Sequence, residues 1–342
     1  MRAARLSEGR VDLSVENVAD PELRPGCAIV RVETVFMTPY MASLVDGSGG
    51  FETPPRPFTP GMDAIGTIEQ IADDVHGLSI GERVYCDSYI EAPNAAGDGE
   101  YAFAGCFAIS ANSGSLLAQW PDGALATHLV LPAECLTPVE PALARTSAET
   151  LCRLGWIGTA DSAFEKAGFK PGQSAVVLGA TGQLGVSAVL VALALGAERV
   201  VAVGRSQERL AAFSDLDPRI ETATAPPGPD SAVNMVLDAM DGGDPHLVEA
   251  SLRGLKRFGS FVVPGTPETP PRVSGLVTRD ITVRGSLWFP RATPARLVRL
   301  IASGQLPLEK IRSHSYPLDE VSAAIDHSAG SVPPFEQVVV CP

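Results

Sequence analysis

Three glycines, Gly179, Gly182 and Gly185, stand at intervals of three in the stretch "VVLGATGQLGVSAVLVALALG", residues 176–196. Glycine at such a spacing serves close backbone approach. The first permits a tight turn off a strand, the second lets the chain come up to a pyrophosphate, and the third lets a helix lie close against the strand before it. The N–H groups and positive dipole end of the helix that follows then face the phosphate. Thr181, Gln183 and Leu184 lie in the same turn and belong to the same cofactor-binding set. The choice of dinucleotide is read at the end of the next strand, "VVAVGRSQERL". NAD binders carry Asp or Glu there for the ribose 2′-hydroxyl. This chain has Gly204, followed by Arg205, Ser206 and Arg209. Guanidiniums and a hydroxyl suit a 2′-phosphate, so the expected cofactor is NADPH. The competing reading makes Arg205 and Arg209 a solvated helix start.

These residues need a strand, a turn, a helix and a second strand to position them. Residues 176–196 carry no charged side chain and are long enough to be weighed as a membrane span. The glycines at the front, the β-type run "SAVV" before them and "ERVVAVGRS" after them instead predict a βαβ unit. Its helix is apolar on every face because it is buried against a parallel sheet. Short apolar runs alternate with helical segments from 147 to 290 ("AVVLG", "VVAVG", "VNMVLDAM", "PHLVEASLRGLKRFG", "SFVVPG"), a doubly wound α/β pattern. Residues 1–146 alternate in period two between Gly and Pro turn signals and read as a β-rich domain. The tail, 291–342, is too short to make a core of its own and is expected to return to that first domain.

A chain of 342 residues with 45% hydrophobic and 19% charged residues fits a two-domain soluble enzyme. A net charge of −14 argues against a nucleic-acid or anionic-membrane partner. Six scattered cysteines with no CxxC pair, and no export signal at the start, predict reduced, mostly buried thiols and a cytoplasmic location. The expected partner is a small-molecule substrate.

Five segments in order resemble the medium-chain dehydrogenase/reductase superfamily: "PGCAIVRVETVFMTPYMASLVDG", "FTPGMDAIGTIEQIADDVHGLSIGERVY", "DGALATHLVLPAECL", "GFKPGQSAVVLGATGQLGVSAVLVALALGAERVVAVGRS" and "DITVRGSLW". The resemblance implies a GroES-like β-rich domain, a Rossmann domain with a doubly wound parallel sheet, and a homodimer formed through the nucleotide domain's edge strands. It also implies where the catalytic zinc of many relatives would sit, namely Thr38, Met62 and Leu154 or a neighbour. A zinc site needs three ligands with N, S or O lone pairs, and these residues do not supply them. The structural zinc lobe should fall between 86 and 120, where only Cys86 and Cys106 occur. The likeness is therefore to the zinc-independent, quinone oxidoreductase-like branch, with no metal expected.

In that branch hydride passes from NADPH to an activated C=C bond or a quinone. The alternative is a zinc-independent alcohol dehydrogenase or ketone reductase with Tyr40 as proton donor, and a minor one is an NADPH-binding protein without turnover. The resemblance makes Tyr40 and Thr38 the catalytic candidates. Gly265, Ser286 and Trp288 are expected near the nicotinamide. Tyr40, Met62, Trp288 and Phe289 are expected to line the substrate space. Asp63, left without a metal to serve, is expected to bind an Arg or a backbone amide. His128, on an alternating strand, reads as a satisfied structural histidine. Tyr89, Tyr101, Phe103 and Phe107, in the segment 87–120 that replaces the lobe, are expected to line an apolar pocket or to meet a dimer partner.

Overall fold

The period-two stretches of the first part of the chain form antiparallel strands, as half-buried alternation requires. A computed structural model describes residues 1–92, 99–111, 113–228, 232–240, 242, 244–265 and 275–342. It resolves two units: residues 1–155, 311–332 and 336–342 in one, residues 156–310 and 333–335 in the other. The sequence pattern puts the divisions at 146/147 and 290/291; in the structure they fall after Gly155 and Lys310.

The first unit is built on a seven-stranded sheet among the described residues. Its long central strand, Cys27–Phe36, pairs antiparallel with Ala64–Ile71 and with His128–Pro132. On its far edge it pairs with Glu336–Cys341, which runs parallel to Arg312–Pro317. The returning tail thus completes the sheet begun by the first part of the chain. His128 is held between Thr127 Oγ1 (3.0 Å) and Glu69 (3.2 Å), a structural role. The segment 87–120 forms a small sheet of Tyr89–Ala92, Glu100–Phe103 and Phe107–Ala108, followed by the helix Gly114–Gln119; residues 93–98 and 112 of that segment lie outside the described residues.

The second unit holds a parallel sheet of six strands among the described residues. Their spatial order is Ile220–Ala223, Arg199–Val203, Ser174–Leu178, Val233–Asp238, Leu255–Val263, Thr282–Gly285. Numbered along the chain this is 3-2-1-4-5-6, the dinucleotide-binding order. Every residue of Ser174–Leu178 is buried, and the helix Gln183–Ala194 is buried from Gly185 to Ala192. That burial explains its unbroken apolar sequence, and no helix of the described residues is long and apolar enough to cross a membrane. Val176, Leu178, Val201, Val236 and Phe261 meet in the core.

Two expectations are corrected here. The run "PHLVEASLRGLKRFG" is helical only over Pro245–Gly254; Leu255–Val263 is strand, with Phe258 at φ 65°. Leu255 pairs in parallel with Val233 and Ser260–Val262 with strands on both sides, and the register irregularity between them takes in Phe258, so sheet pairing overrides the helical spacing. The helix Thr293–Ala302 packs in the second unit, so the return to the first begins at Ile311. The Pro-rich segment 222–232 reads by its sequence as a surface loop or edge connection; its residues 222 and 223 end the strand Ile220–Ala223, and residues 229–231 lie outside the described set.

Candidate functional site

In the second unit the glycine loop takes the form its chemistry asks for. Gly179 has φ +68°, a left-handed conformation that favours glycine, and a Cβ on Gly185 would overlap the Gly179 carbonyl and lie 2.6 Å from Ala180 Cα. The loop is pinned by Ala180 N–H donating to the Val203 carbonyl (2.9 Å) and Gly182 N–H to that of Gly179 (3.0 Å). Gly182 caps the helix with no side-chain hydrogen bond, and Gly182 is exposed with Thr181, Gln183 and Leu184 half-buried around it. An uncapped helix start with accessible N–H groups fits a pyrophosphate.

The end of the second strand is organised differently from the sequence expectation. Gly204 is buried, and a Cβ there would come within 3.2 Å of Thr181 Cγ2, so a larger residue would press on the loop. Ser206 caps the helix Gln207–Leu210 by accepting from Arg209 N–H at 3.3 Å. Arg209 donates through Nη2 to the Thr181 carbonyl at 3.1 Å, which ties this helix to the glycine loop. Its guanidinium therefore already has a structural task, and Glu208 brings a carboxylate into the same first turn. Arg205 is exposed and makes no ion pair or hydrogen bond among the described residues.

Farther along the sheet, Ser286 N–H donates to the Val263 carbonyl (2.9 Å), and the Lys166 ammonium donates to Ser286 Oγ and to the Trp288 carbonyl, both at 3.0 Å. Ser162 Oγ also donates to the Trp288 carbonyl (2.9 Å). Burial lowers the Lys166 pKa, and its sequence position offers no sign of this role. Trp288 stacks on Phe289 at 4.4 Å, and Phe289 is buried against Gly158, where it fills the place a side chain would need. Gly265 lies exposed two residues beyond the strand Leu255–Val263, and a Cβ there would stand 3.6 Å from the Met240 carbonyl.

The first unit brings Tyr40, Thr38 and Met62 together. Tyr40 follows the central strand and donates its phenol O–H to Met62 Sδ at 2.9 Å. Burial, with Cys106 and Asp63 close by, pushes that phenol well above the usual tyrosine range. It is therefore a protonated donor at neutral pH, spending its hydrogen bond on a weak acceptor. Thr38 is buried and its Oγ1 has no well-formed hydrogen bond, although it lies near enough to the phenol to oppose that rise slightly. Behind Met62, Asp63 is buried and accepts from the Tyr85 phenol at 2.5 Å, and a backbone hydrogen bond also favours its charged form. Burial pushes the Asp63 carboxyl up to about 8, with the Tyr85 bond acting the other way. Tyr85 carries no motif, and only the pairing of its strand with Ala64–Ile71 brings it to Asp63.

Zinc does not fit these residues. Thr38 and Met62 present a lone hydroxyl and a thioether already hydrogen-bonded, and Leu154 has no donor atom. No group of three or more His, Cys, Asp or Glu side chains among the described residues is placed to hold a metal ion. The described cysteines are free, and five of the six are buried.

A doubly wound nucleotide-type unit, on one chain with a β-rich unit that carries a buried phenol, defines the two-domain α/β dehydrogenase fold. The family described as the alcohol dehydrogenase GroES-like domain matches residues 24–141. The chain is 25% identical over 356 residues to an erythritol/L-threitol dehydrogenase of Mycolicibacterium smegmatis, covering 94% of this chain and 93% of that protein. It is 28% identical over 280 residues to a 2-methylene-furan-3-one reductase of Solanum lycopersicum, covering 80% and 64%. An alcohol dehydrogenase from Thermus sp. ATN1 superposes with a TM-score of 0.81 at 24% identity, covering 100% of this chain and 99% of that one. These likenesses support the medium-chain dehydrogenase/reductase superfamily, and the dehydrogenase and reductase relatives support an oxidoreductase.

Proposed function

We propose that this oxidoreductase reduces an activated C=C bond, in a small carbonyl compound or quinone, with NADPH and without a metal ion. The observation that carries the reading is the protonated Tyr40 phenol resting on Met62 where relatives have a metal ligand. When bound, the nicotinamide supplies hydride. The glycine loop, with Gly179, Gly182 and Gly185, would hold the pyrophosphate, and Arg205 with the Ser206 hydroxyl the 2′-phosphate. Ser286, Trp288 and Gly265 would serve the nicotinamide end, with Lys166 keeping the Ser286–Trp288 segment in place. As hydride adds to the β-carbon, the π electrons move onto oxygen. Tyr40 donates to that oxygen, a far better acceptor than a thioether, and solvent returns its proton. The Tyr40 O–H would serve a developing alkoxide equally, so carbonyl reduction is the second reading; the names of the dehydrogenase relatives favour it.

Labelled NADPH separates the two, since deuterium is found on the β-carbon in the first and on the carbonyl carbon in the second. Activity is expected to survive exhaustive chelation. Arg205→Ala is expected to lower the preference for NADPH over NADH by about 10- to 100-fold, the worth of a hydrogen bond to a charged group. Stoichiometric zinc whose removal abolishes turnover would overturn the reading, as would an unaltered preference for the cofactor assignment. The buried free cysteines support a reducing, cytoplasmic location.

The strand Thr282–Gly285 forms one edge of the parallel sheet and is exposed along its length, with Val283, Leu287 and Val277 exposed around it. An open apolar edge is a template for a second copy, and this surface supports the homodimer reading. Val283→Lys is expected to halve the sedimenting mass. A wild-type monomer in the centrifuge contradicts the assignment.

A further inference from the structure

We infer that the preferred substrate is a neutral carbonyl compound bearing a planar aromatic group, which lies against the rings of Phe51 and Phe107. This rests on the reduction proposed at Tyr40.

The Tyr40 ring stands 6.0 Å from Phe51 and 5.9 Å, edge-on, from Phe107. Phe51 and Phe107 themselves stack at 4.7 Å with 28° between their planes. Their places are set by backbone. Ala108 N–H donates to the Glu52 carbonyl (2.9 Å), joining the two segments, and the Phe51 ring occupies the space beside Gly49 that a Cβ would need. Phe103, buried, meets Phe107 edge-on at 5.2 Å, and Tyr89 meets Phe103 at 5.5 Å. Phe103 backs this wall from the core, whereas Phe51 and Phe107 are left half-buried beside the donor. Rings in such an arrangement favour another ring, offset or edge-on, above its area alone.

Burial selects against charge. It is the main cause that keeps the Tyr40 phenol protonated, and it acts alike on any anion brought beside that group, with the Glu52 carboxylate near Gly114 in the neighbouring helix. A carboxylate or phosphate substrate would lose water against the phenyl faces. Of the described polar atoms there, the Tyr40 O–H and Thr38 Oγ1 suit one carbonyl oxygen, whereas Ser43 Oγ, beside Phe51 at Gly49, is committed to the Tyr40 carbonyl at 2.9 Å. A polyol or ketose would set several hydroxyls against phenyl faces, where they lose water without gaining partners. The substrate is thus of a different class from the one in the name of the erythritol/L-threitol dehydrogenase.

The test uses the full chain with NADPH and three probes: benzylideneacetone, its cyclohexyl analogue, and D-xylulose. The expected result is a higher kcat/KM for benzylideneacetone than for the cyclohexyl compound, and no reduction of the sugar. Phe107→Leu and Phe51→Leu, which keep an apolar side chain and are checked by Tm, are expected to raise KM for benzylideneacetone about 2- to 10-fold and KM for the cyclohexyl analogue by less, so that the preference between the two shrinks. Equal use of the two enones, or a preference that both Leu variants retain, overturns the inference and leaves the reduction standing. If no probe is turned over, the reduction fails and saturation-transfer NMR of benzylideneacetone decides the wall. Transfer to the phenyl protons that disappears in the Leu variants supports it. No transfer in the wild type, or equal transfer in all three proteins, overturns it.

Discussion

Tyr40→Phe lowers kcat by about 10²- to 10⁴-fold on any carbonyl or enone the enzyme turns over, the range for losing a positioned proton donor. The substitution keeps the ring and its packing against Phe51 and Phe107, and deletes only the O–H that rests on Met62. NADPH affinity, measured by fluorescence titration, stays at its wild-type value. Because burial holds the phenol well above the usual tyrosine range, the wild-type rate is flat through neutral pH on account of this group. A Tyr40→Phe enzyme with wild-type kcat would remove Tyr40 from the chemistry.

Asp63→Asn changes how stability depends on pH. In the unfolded chain this carboxyl loses its proton near 3.8; in the folded protein it keeps it up to about 8. Between those values the native state binds more protons, so wild-type stability falls as pH rises. The loss is complete above the folded value and amounts to on the order of 5 kcal/mol as an upper figure, from 1.36 kcal/mol for each pH interval of one. An amide cannot ionise, yet its carbonyl still accepts from Tyr85. Urea unfolding at pH 5 and pH 8 should therefore show the wild type losing stability relative to Asp63→Asn as pH is raised. Parallel behaviour of the two proteins would show that Asp63 does not carry this cost.

The glycine loop is legible in the sequence because its demands are local. A left-handed turn at Gly179 and close packing at Gly185 leave few alternatives, and the apolar helix 183–194 follows from burial on all sides. The residues around it are less legible. Arg209 and Ser206 have side chains that suit a phosphate, but whether they are free depends on a neighbouring carbonyl at Thr181 and on the helix start they cap. The pairing of Asp63 with Tyr85 is out of reach for the same reason. It joins residues on adjacent strands whose register no spacing announces. The aromatic wall is legible in part. Composition points to Phe107 and Tyr89, but Phe51 reaches them only through the Ala108–Glu52 backbone bond. The segment 255–259 shows the limit of periodicity, since Leu255 and Phe258 sit at helical spacing and the sheet takes them.

The order in which the first unit's sheet is assembled has a kinetic consequence. Val339 pairs with Phe36, so the central strand waits for a neighbour some three hundred positions later in the chain. The second unit's strands, by contrast, find partners drawn from one nearly continuous stretch, 156–310. During synthesis the nucleotide-type sheet has all its parts long before the β-rich unit can close, so the polypeptide passes through a period in which that unit is still an open sheet awaiting its final strand.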